Sequence, residues 1–240
     1  MGGGLVQLAA YGSQDVYLTT NPNITFFKAV YQRSTNFSME SIIQLIDGNI
    51  NFGGNITIVI ARNGDLLGNM VLQVCLPNPN IYIIPDNYDY FGWMQGIGNY
   101  LVKYVSIEIG AQQIDEQYGL WLDIWSELNL NNSQIPGYSQ MVGKGYSSAA
   151  WQPYDAAVEP GSRLFIPLQF WFCRNPGLSI PLIALQYHEI KLKITFEKFE
   201  NLIVAVTNGQ YKKPILNGTT PTFTKFQIWN TYYYLDTIER

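Results

Sequence analysis

The chain has 240 residues, 13% of them charged, and a net charge of −4. That length buries one sizeable core or two small ones, and the lack of any Lys/Arg cluster removes the electrostatic footprint of a protein that packages nucleic acid directly. No apolar stretch reaches the length of a bilayer span, and the N-terminus lacks the basic region and the long apolar run of a signal peptide.

Charged residues are about half as frequent as in an average globular protein, while 17 Tyr, 12 Phe and 6 Trp supply a heavy aromatic load. Two readings fit. One is a surface made for large subunit contacts, because interfaces favour aromatics and exclude Lys and Glu. The other is a Tyr-rich β protein, because strands favour aromatics anyway. Cys75 and Cys173 share no metal-ligand spacing and both sit in apolar runs, so buried free thiols are expected, which suits a reducing cytoplasm.

Residues 1–22 begin Gly-rich and read as an arm that orders on a partner rather than joining a core. Gly2 is placed for acylation, but Val6 stands where the myristoylation pattern requires Ser or Thr. Ile24–Tyr31, opened by Asn21-Pro22-Asn23, is the first strand candidate, and Met39–Ile46 is an apolar run that continues the same sheet edge. From Asn55 to Leu76 the pattern is that of a hairpin. Ile56, Ile58 and Ile60 alternate with Thr57, Val59 and Ala61, Asn63-Gly64 tolerates the positive φ of a tight turn, and Met70–Leu76 returns. Residues 77–98 form a loop rich in Pro, Asn and Tyr. Leu101–Ile109 alternates again, with Val105, Ile107 and Ile109 inward and Tyr104, Ser106 and Glu108 outward.

One helix is predicted, Gly119–Leu130. Leu120, Trp121, Ile124, Trp125 and Leu128 form an apolar stripe opposite Asp123, Ser126, Glu127 and Asn129, the pattern of a helix laid on a core. Residues 131–162 are an irregular loop that reaches outward. Leu164–Phe172 reads as a strand buried on both faces, with Pro167 marking a sheet edge or a bulge. Asn175-Pro176-Gly177 suits a type II turn. Glu189–Glu197 alternates strictly: Ile190, Leu192, Ile194 and Phe196 take one face, and Glu189, Lys191, Lys193, Thr195 and Glu197 take the other. Only a period-2 element separates those sets, so this is a strand with one buried and one wet face. A polar loop over 207–222 precedes the last strand, Phe223–Leu235. About eight strands, one short helix, long loops and no βαβ rhythm predict an all-β fold, an eight-stranded antiparallel sandwich of the jelly-roll kind.

Candidate chemistry is sparse. His188 is the only histidine, and a Cys-His device needs it beside Cys173, across the Pro-Gly turn. A histidine packed beside Gln186 and Glu189 is the simpler reading. One His and two scattered Cys make a poor metal site. Asp123 and Glu127, at i and i+4, could serve glycoside cleavage or be ordinary acids of a polar helix face. Tyr82, Tyr88, Tyr90, Phe91 and Trp93 could stack on sugars, pack under their own loop, or pack against a neighbouring subunit. Asn23, Asn36, Asn55, Asn131 and Asn217 each open an Asn-x-Ser/Thr triplet, which an Asn-rich chain produces by chance. No catalytic, cofactor-binding or metal residue is assigned. A carbohydrate-binding or glycoside-cleaving β-sandwich stands as the alternative to a structural role.

Several blocks carry a family resemblance: GGGLVQLAAYGSQDVYLT (2–19), NPNITFFKAVYQRSTNFSMES (21–41), ARNGDLL (61–67), YGLWLDIWSEL (118–128), FWFCRNPGLSIPLIALQYHEIKLKI (170–194) and YYYLDTIER (232–240). Together they resemble the major capsid proteins of large nucleocytoplasmic DNA viruses, the iridovirus, phycodnavirus and mimivirus group. The resemblance implies two consecutive jelly rolls per subunit, three subunits in a pseudo-hexagonal capsomer, and capsomers tiling an icosahedral shell. It implies copies of the chain, neighbouring capsomers and minor capsid proteins as partners, with a place in the virion and assembly in the host cytoplasm. It also implies an N-terminal arm at the capsomer base, and no enzymatic activity, direct nucleic-acid contact or membrane insertion. Only the first roll is matched, so residues 23–240 are expected to form one jelly-roll domain behind the 1–22 arm. The text stops at YYYLDTIER, where family members continue into a linker and a second roll, and a lone roll cannot supply pseudo-sixfold symmetry as a trimer. Some algal-virus relatives carry capsid glycans, which keeps Asn131 and Asn217 as loop candidates.

Overall fold

The computed structural model describes residues 3–10, 12, 35–46, 50–83, 90–145, 163–219, 221–237 and 239–240. Alternation becomes a strand wherever one face can be buried. In β9 (Ile190–Phe196) the residues Ile190, Leu192, Ile194 and Phe196 are buried and the intervening Lys191, Lys193 and Thr195 are not. β9 pairs antiparallel with β2 (Asn55–Val59) on one side and β5 (Val102–Ile109) on the other, and β5 pairs with β6 (Gln112–Tyr118). A second antiparallel sheet is built on β12 (Lys225–Leu235). It lies between β1 (Phe37–Gln44) and β3 (Leu66–Cys75), with β7 (Arg163–Pro167) beyond β3.

The two strand orders are β1-β12-β3-β7 and β2-β9-β5-β6. Numbered one to eight along the chain, these strands run 1-8-3-6 in one sheet and 2-7-4-5 in the other. That is jelly-roll connectivity, in which all but one of the links cross between sheets. The predicted all-β antiparallel sandwich is the observed fold. Leu72, Val74, Leu164, Ile166 and Ile228 from one inner face meet Ile58, Val105, Ile107, Leu192 and Ile194 from the other in a single core. Each such side chain contributes about 1.5–3 kcal/mol by leaving water.

Further elements decorate the roll. β4 (Tyr90–Trp93), β10 (Ile203–Thr207) and β11 (Gln210–Lys212) make a three-stranded sheet, and β8 (Ile180–Pro181) pairs the start of β3. Where one helix was predicted, six short ones occur among the described residues: α1 (Gly3–Ala9), α2 (Ile97–Leu101), α3 (Gly119–Asn129), α4 (Ile135–Val142), α5 (Trp171–Arg174) and α6 (Phe199–Leu202). Part of the predicted arm is therefore helical and lies on the domain itself. Glu40 of β1 accepts the backbone N–H groups of Gly3 and Gly4, each at 3.1 Å, and Ser38 Oγ donates to the Gly4 carbonyl at 2.6 Å. The candidate strand Ile24–Tyr31 falls outside the described residues.

The predicted Asn55–Leu76 hairpin does not form. β2 pairs β9 and β3 pairs β12 and β7, so the two segments lie in different sheets and Asn63-Gly64 is a corner between them. Gly64 is needed there for space: a Cβ would stand 2.8 Å from Tyr232 Cβ and 3.2 Å from the Tyr233 carbonyl oxygen. An Asn-Gly pair does make a hairpin elsewhere, inside the stretch read as a polar loop. Asn208 (φ 51°) and Gly209 (φ 72°) form the two-residue turn between β10 and β11. Gly110 (φ 59°) and Ala111 (φ 68°) turn β5 into β6 in the same way. β6 escaped the sequence reading because its text, QQIDEQY, is polar.

The run Leu164–Phe172 is also divided. Pro167 ends β7 opposite Val71 on the sheet edge, and α5 begins four residues later, although Leu168, Phe170 and Phe172 stay buried. At Asn175-Pro176-Gly177 the structure has a 3-10 turn rather than a type II turn. The Asn175 side chain accepts the Gly177 N–H at 2.9 Å, and Gly177 does not take a positive φ.

Asn230 on β12 is fully buried, and among the described residues neither of its amide atoms reaches full hydrogen-bond geometry, although the group acts weakly on the Tyr232 hydroxyl. An unpaired buried polar group costs about 1–3 kcal/mol. Asn230→Leu, which keeps the volume, is therefore expected to raise the thermal midpoint by a few degrees in a melting experiment; an unchanged or lower midpoint would show that the amide is satisfied.

Candidate functional site

The structure does not assemble the Cys-His device. Cys173 on α5 points its thiol toward the Gly68 carbonyl, 3.9 Å away. His188 is exposed in the turn before β9, its ring laid over Gly110, where an added Cβ would be 2.6 Å from Nδ1. The backbone there is held by Arg62, whose guanidinium donates to the carbonyls of Leu185, Gln186 and His188. Glu189 pairs with Lys191 at 3.2 Å instead of with the histidine.

Burial pushes the Cys173 thiol up to about 12, beyond what its backbone hydrogen bonds can offset. Cys75 is buried on β3, and both cysteines are free. The thiolate is the reactive form, so native protein at pH 8 is expected to resist a thiol reagent at both positions. Unfolded protein should take two labels, counted by intact mass. Fast labelling of Cys173 in the native state would contradict its burial.

Asp123 and Glu127 do come together, but around a lysine. Lys144 Nζ lies 3.5 Å from Asp123 Oδ1 and contacts Glu127 Oε1. Asp123 also accepts from Asn99 Nδ2 at 3.3 Å and from Tyr100 Oη at 3.0 Å, and Tyr138 Oη donates to Asn99 Oδ1 at 3.0 Å. Burial pulls the Lys144 ammonium down, but the Glu127 hydrogen bond and the Asp123 charge outweigh it and leave it raised. This network ties α2, α3 and α4 to one another. Two acids engaged with one lysine on one helix do not face each other across a sugar, as glycoside cleavage requires.

The aromatic cluster is likewise internal where it is described. Trp93 is fully buried and Tyr82 nearly so. Trp93 stands 5.3 Å from Phe199 and 6.1 Å from Phe52, and Tyr82 stands 5.5 Å from Phe199. These rings pack under their own loop; Tyr88 is outside the described residues. Among the sequons, Asn217 is tied down, with its amide donating to the Ile81 carbonyl at 2.7 Å and accepting from Thr219 N–H at 3.0 Å. Asn131 and Asn55 are exposed, Asn36 is half-buried, and Asn23 is undescribed. Among the described residues no helix is long and apolar enough to cross a membrane.

What the surface does offer is two elements turned inside out. In α3 the buried residues are Gly119, Leu122 and Ser126. Leu120, Trp121, Ile124 and Leu128 of the predicted core stripe are exposed, Leu128 by 75%. Trp125 alone of that stripe is half-buried, with the Arg174 guanidinium 3.9 Å above its ring. The reversal has a local cause. Asp123 is needed on the inner side for its hydrogen bonds to Asn99 and Tyr100, and α3 seats itself there through Gly119, beside the carbonyls of Asn99 and Val102.

β1 shows the same inversion. Ser38 and Gln44 face inward and are buried. Gln44 donates to Tyr232 Oη at 2.9 Å and accepts from Ala61 N–H at 3.0 Å. The alternate positions Phe37, Met39 and Ile43 face out, with Phe37 61% and Met39 60% exposed. Across the ladder, Met39 lies beside Tyr233 and Ile43 beside Trp229, two apolar pairs with the hydrogen-bonded Ser41–Thr231 pair between them. The outer face of the opposite sheet is of another character. There Lys193 pairs with Glu108 and Lys191 with Glu189, as on a surface that stays wet. Phe37, Met39 and Ile43 stand at period 2 in the sequence, but the signal is ambiguous because nothing in it says which set faces the core.

Comparison with known proteins gives these surfaces a context. Residues 25–236 match the family described as "Major capsid protein N-terminus". A major capsid protein of Pyramimonas orientalis virus is 43% identical over all of this chain and 55% of its own length, and that of Phaeocystis pouchetii virus is 41% identical over all of this chain and 50% of its own. In a quasi-atomic model of the PBCV-1 virus capsid, a chain 31% identical superposes with a TM-score of 0.62, covering 90% of this chain and 46% of that one. The chain thus spans about half the length of the relatives it matches.

Proposed function

Because the chain belongs to the family of major capsid proteins, through their N-terminal region, we propose that it serves as a building block of the icosahedral shell of a large DNA virus and catalyses nothing. The single observation that carries this reading is the outward turn of the apolar faces of β1 and α3 on a rigid β body. Solvent gives no reason for such inversions, whereas neighbouring subunits do. Asp123, Glu127 and Cys173 are engaged in internal contacts, which supports a structural role. In this reading copies of the chain are its principal partners, in trimeric capsomers that contact neighbouring capsomers and minor capsid proteins. Assembly takes place in the host cytoplasm, and residues 1–22 lie at the capsomer base.

Quantitative mass spectrometry of purified particles, joined to immunogold labelling, tests it. The expected result is a chain present in copy numbers of a shell protein and labelled on the particle body. Absence from particles would overturn the proposal. Turnover of a glycoside substrate that is lost in Asp123→Asn and Glu127→Gln variants would replace it with the sugar-cleaving reading.

A further inference from the structure

α3 and α4 are joined by a short turn, and between them lies a cleft of about 440 Å³. Pro167 and Gln169, at and just beyond the end of β7, make its third side. The volume falls within the range of about 300–1,000 Å³ typical of ligand pockets. Trp125 and Tyr138 supply rings to the wall, Asn129, Gln134 and Gln169 supply amides, and among the described lining residues none carries a charge. Both rings are held. The Arg174 guanidinium lies 3.9 Å from the Trp125 ring centroid and also donates to the Gln169 carbonyl at 3.0 Å, while Tyr138 Oη donates to Asn99. Two of the amides are only half used. Asn129 Nδ2 donates to the Trp125 carbonyl at 3.0 Å, and Gln134 Oε1 accepts the Asn131 N–H at 3.2 Å. Backbone partners fix both orientations, so among the described residues the Asn129 carbonyl oxygen and the Gln134 amino group remain for a ligand.

Gly137 is a second, independent sign of an occupant. It stands in the first turn of α4 and on the cleft wall, takes no positive φ, and an added Cβ would meet nothing within 4 Å. Glycine weakens a helix, and neither the backbone conformation nor packing within the chain requires it here. What its missing side chain does is keep the cleft open.

Going beyond the capsid reading, we propose that the α3–α4 cleft is a binding site for an uncharged sugar ring. A phosphate, carboxylate or ammonium ligand would bury its charge against this wall without a counter-ion. A wholly apolar ligand would leave the groups of Asn129 and Gln134 unpaired. A sugar ring meets both demands, because its C–H face packs on an aromatic ring while its hydroxyls both donate and accept. The sugar is held and not cleaved: Asp123 does not line the cleft, and Glu127 lines a separate cavity and contacts Lys144. The same chemistry is offered by glycans of a cell surface and by glycans borne on other proteins of the particle.

Saturation-transfer NMR of the full chain with methyl glycosides of glucose, galactose, mannose, xylose and N-acetylglucosamine tests the site. At least one is expected to bind with a Kd of about 1 mM, the strength that a ligand of this size reaches. Gly137→Phe fills the cleft and Trp125→Ala removes a stacking ring. Each should weaken that binding roughly tenfold or more, with the circular-dichroism spectrum unchanged. Leu120→Ala, exposed on α3 and outside the cleft, should bind like the unaltered chain. Glycans released from host cells and glycans released from purified particles, titrated separately, then identify the source by which set binds more tightly. A panel with no binder would overturn the proposal, and so would a folded Gly137→Phe variant that binds undiminished. A chain abundant in particles that binds no sugar removes this site and leaves the capsid role standing; a chain absent from particles that binds one does the reverse.

Discussion

Replacing Gly119 with alanine is expected to destabilise the domain by about 3 kcal/mol or more, which for a chain of this size lowers the thermal midpoint by roughly 6–12 °C. A Cβ at this position would stand 2.4 Å from both the Asn99 and the Val102 carbonyl oxygens. Those are backbone atoms, fixed by α2 and the start of β5, and cannot swing aside as the tip of a long side chain can. To relieve the clash α3 must lift, and its Asp123 bonds to Asn99, Tyr100 and Lys144 lift with it. Gly119 has an ordinary negative φ, so the cost is one of space and not of backbone strain. Differential scanning calorimetry of the variant decides the matter. Gly137→Ala on the neighbouring helix serves as the control, because its added methyl would meet nothing within 4 Å. Equal midpoints for the two variants would show that α3 is not seated as described.

The second large effect is expected at Phe196. Its ring is 1% exposed at the end of β9, 5.2 Å from the ring of Phe223 and 5.3 Å from that of Phe226. Phe223 in turn lies 4.2 Å from Phe52, which joins the cluster to Phe199 and Trp93. Phe196→Ala removes the transfer energy of a full aromatic side chain and leaves a cavity among rings that cannot all collapse into it, for a loss of about 3–5 kcal/mol and a fall of roughly 6–20 °C in the midpoint. Phe37→Ala, at an exposed position on β1, is expected to change the midpoint of the isolated chain by no more than about 1–2 °C. The contrast between two phenylalanines separates core packing from surface display. A large loss at Phe37 would mean that this residue is already covered within a single copy.

Much of the fold was legible because strands write their burial at period 2. β9 could be assigned residue by residue, since Ile190, Leu192, Ile194 and Phe196 are separated by residues that must stay wet. β5 was found in the same way, and the polar strand β6 was not. Turn chemistry was less dependable. The Asn-Gly at 63–64 became a corner between sheets and the one at 208–209 a hairpin, because a short-range φ preference does not say whether the returning strand pairs locally. In this fold most partners are remote, as with Phe37 and Leu235. Of the candidate site residues, the sequence placed Asp123 and Glu127 on one helix correctly, but the lysine that occupies them comes from position 144, beyond α4.

By itself, the sequence determined that the chain is an antiparallel β-sandwich, where its strictest strand and its main helix lie, and to which family it is similar. Those properties rest on local periodicity and on contiguous text. Only the tertiary structure decided which side of α3 and of β1 faces the core. An amphipathic period defines two faces but not their destinations. The inner side of each element went to residues with hydrogen bonds to make to other elements, Asp123 on one, Ser38 and Gln44 on the other. Their large apolar side chains Phe37, Met39, Ile43, Leu120, Trp121, Ile124 and Leu128 were left exposed.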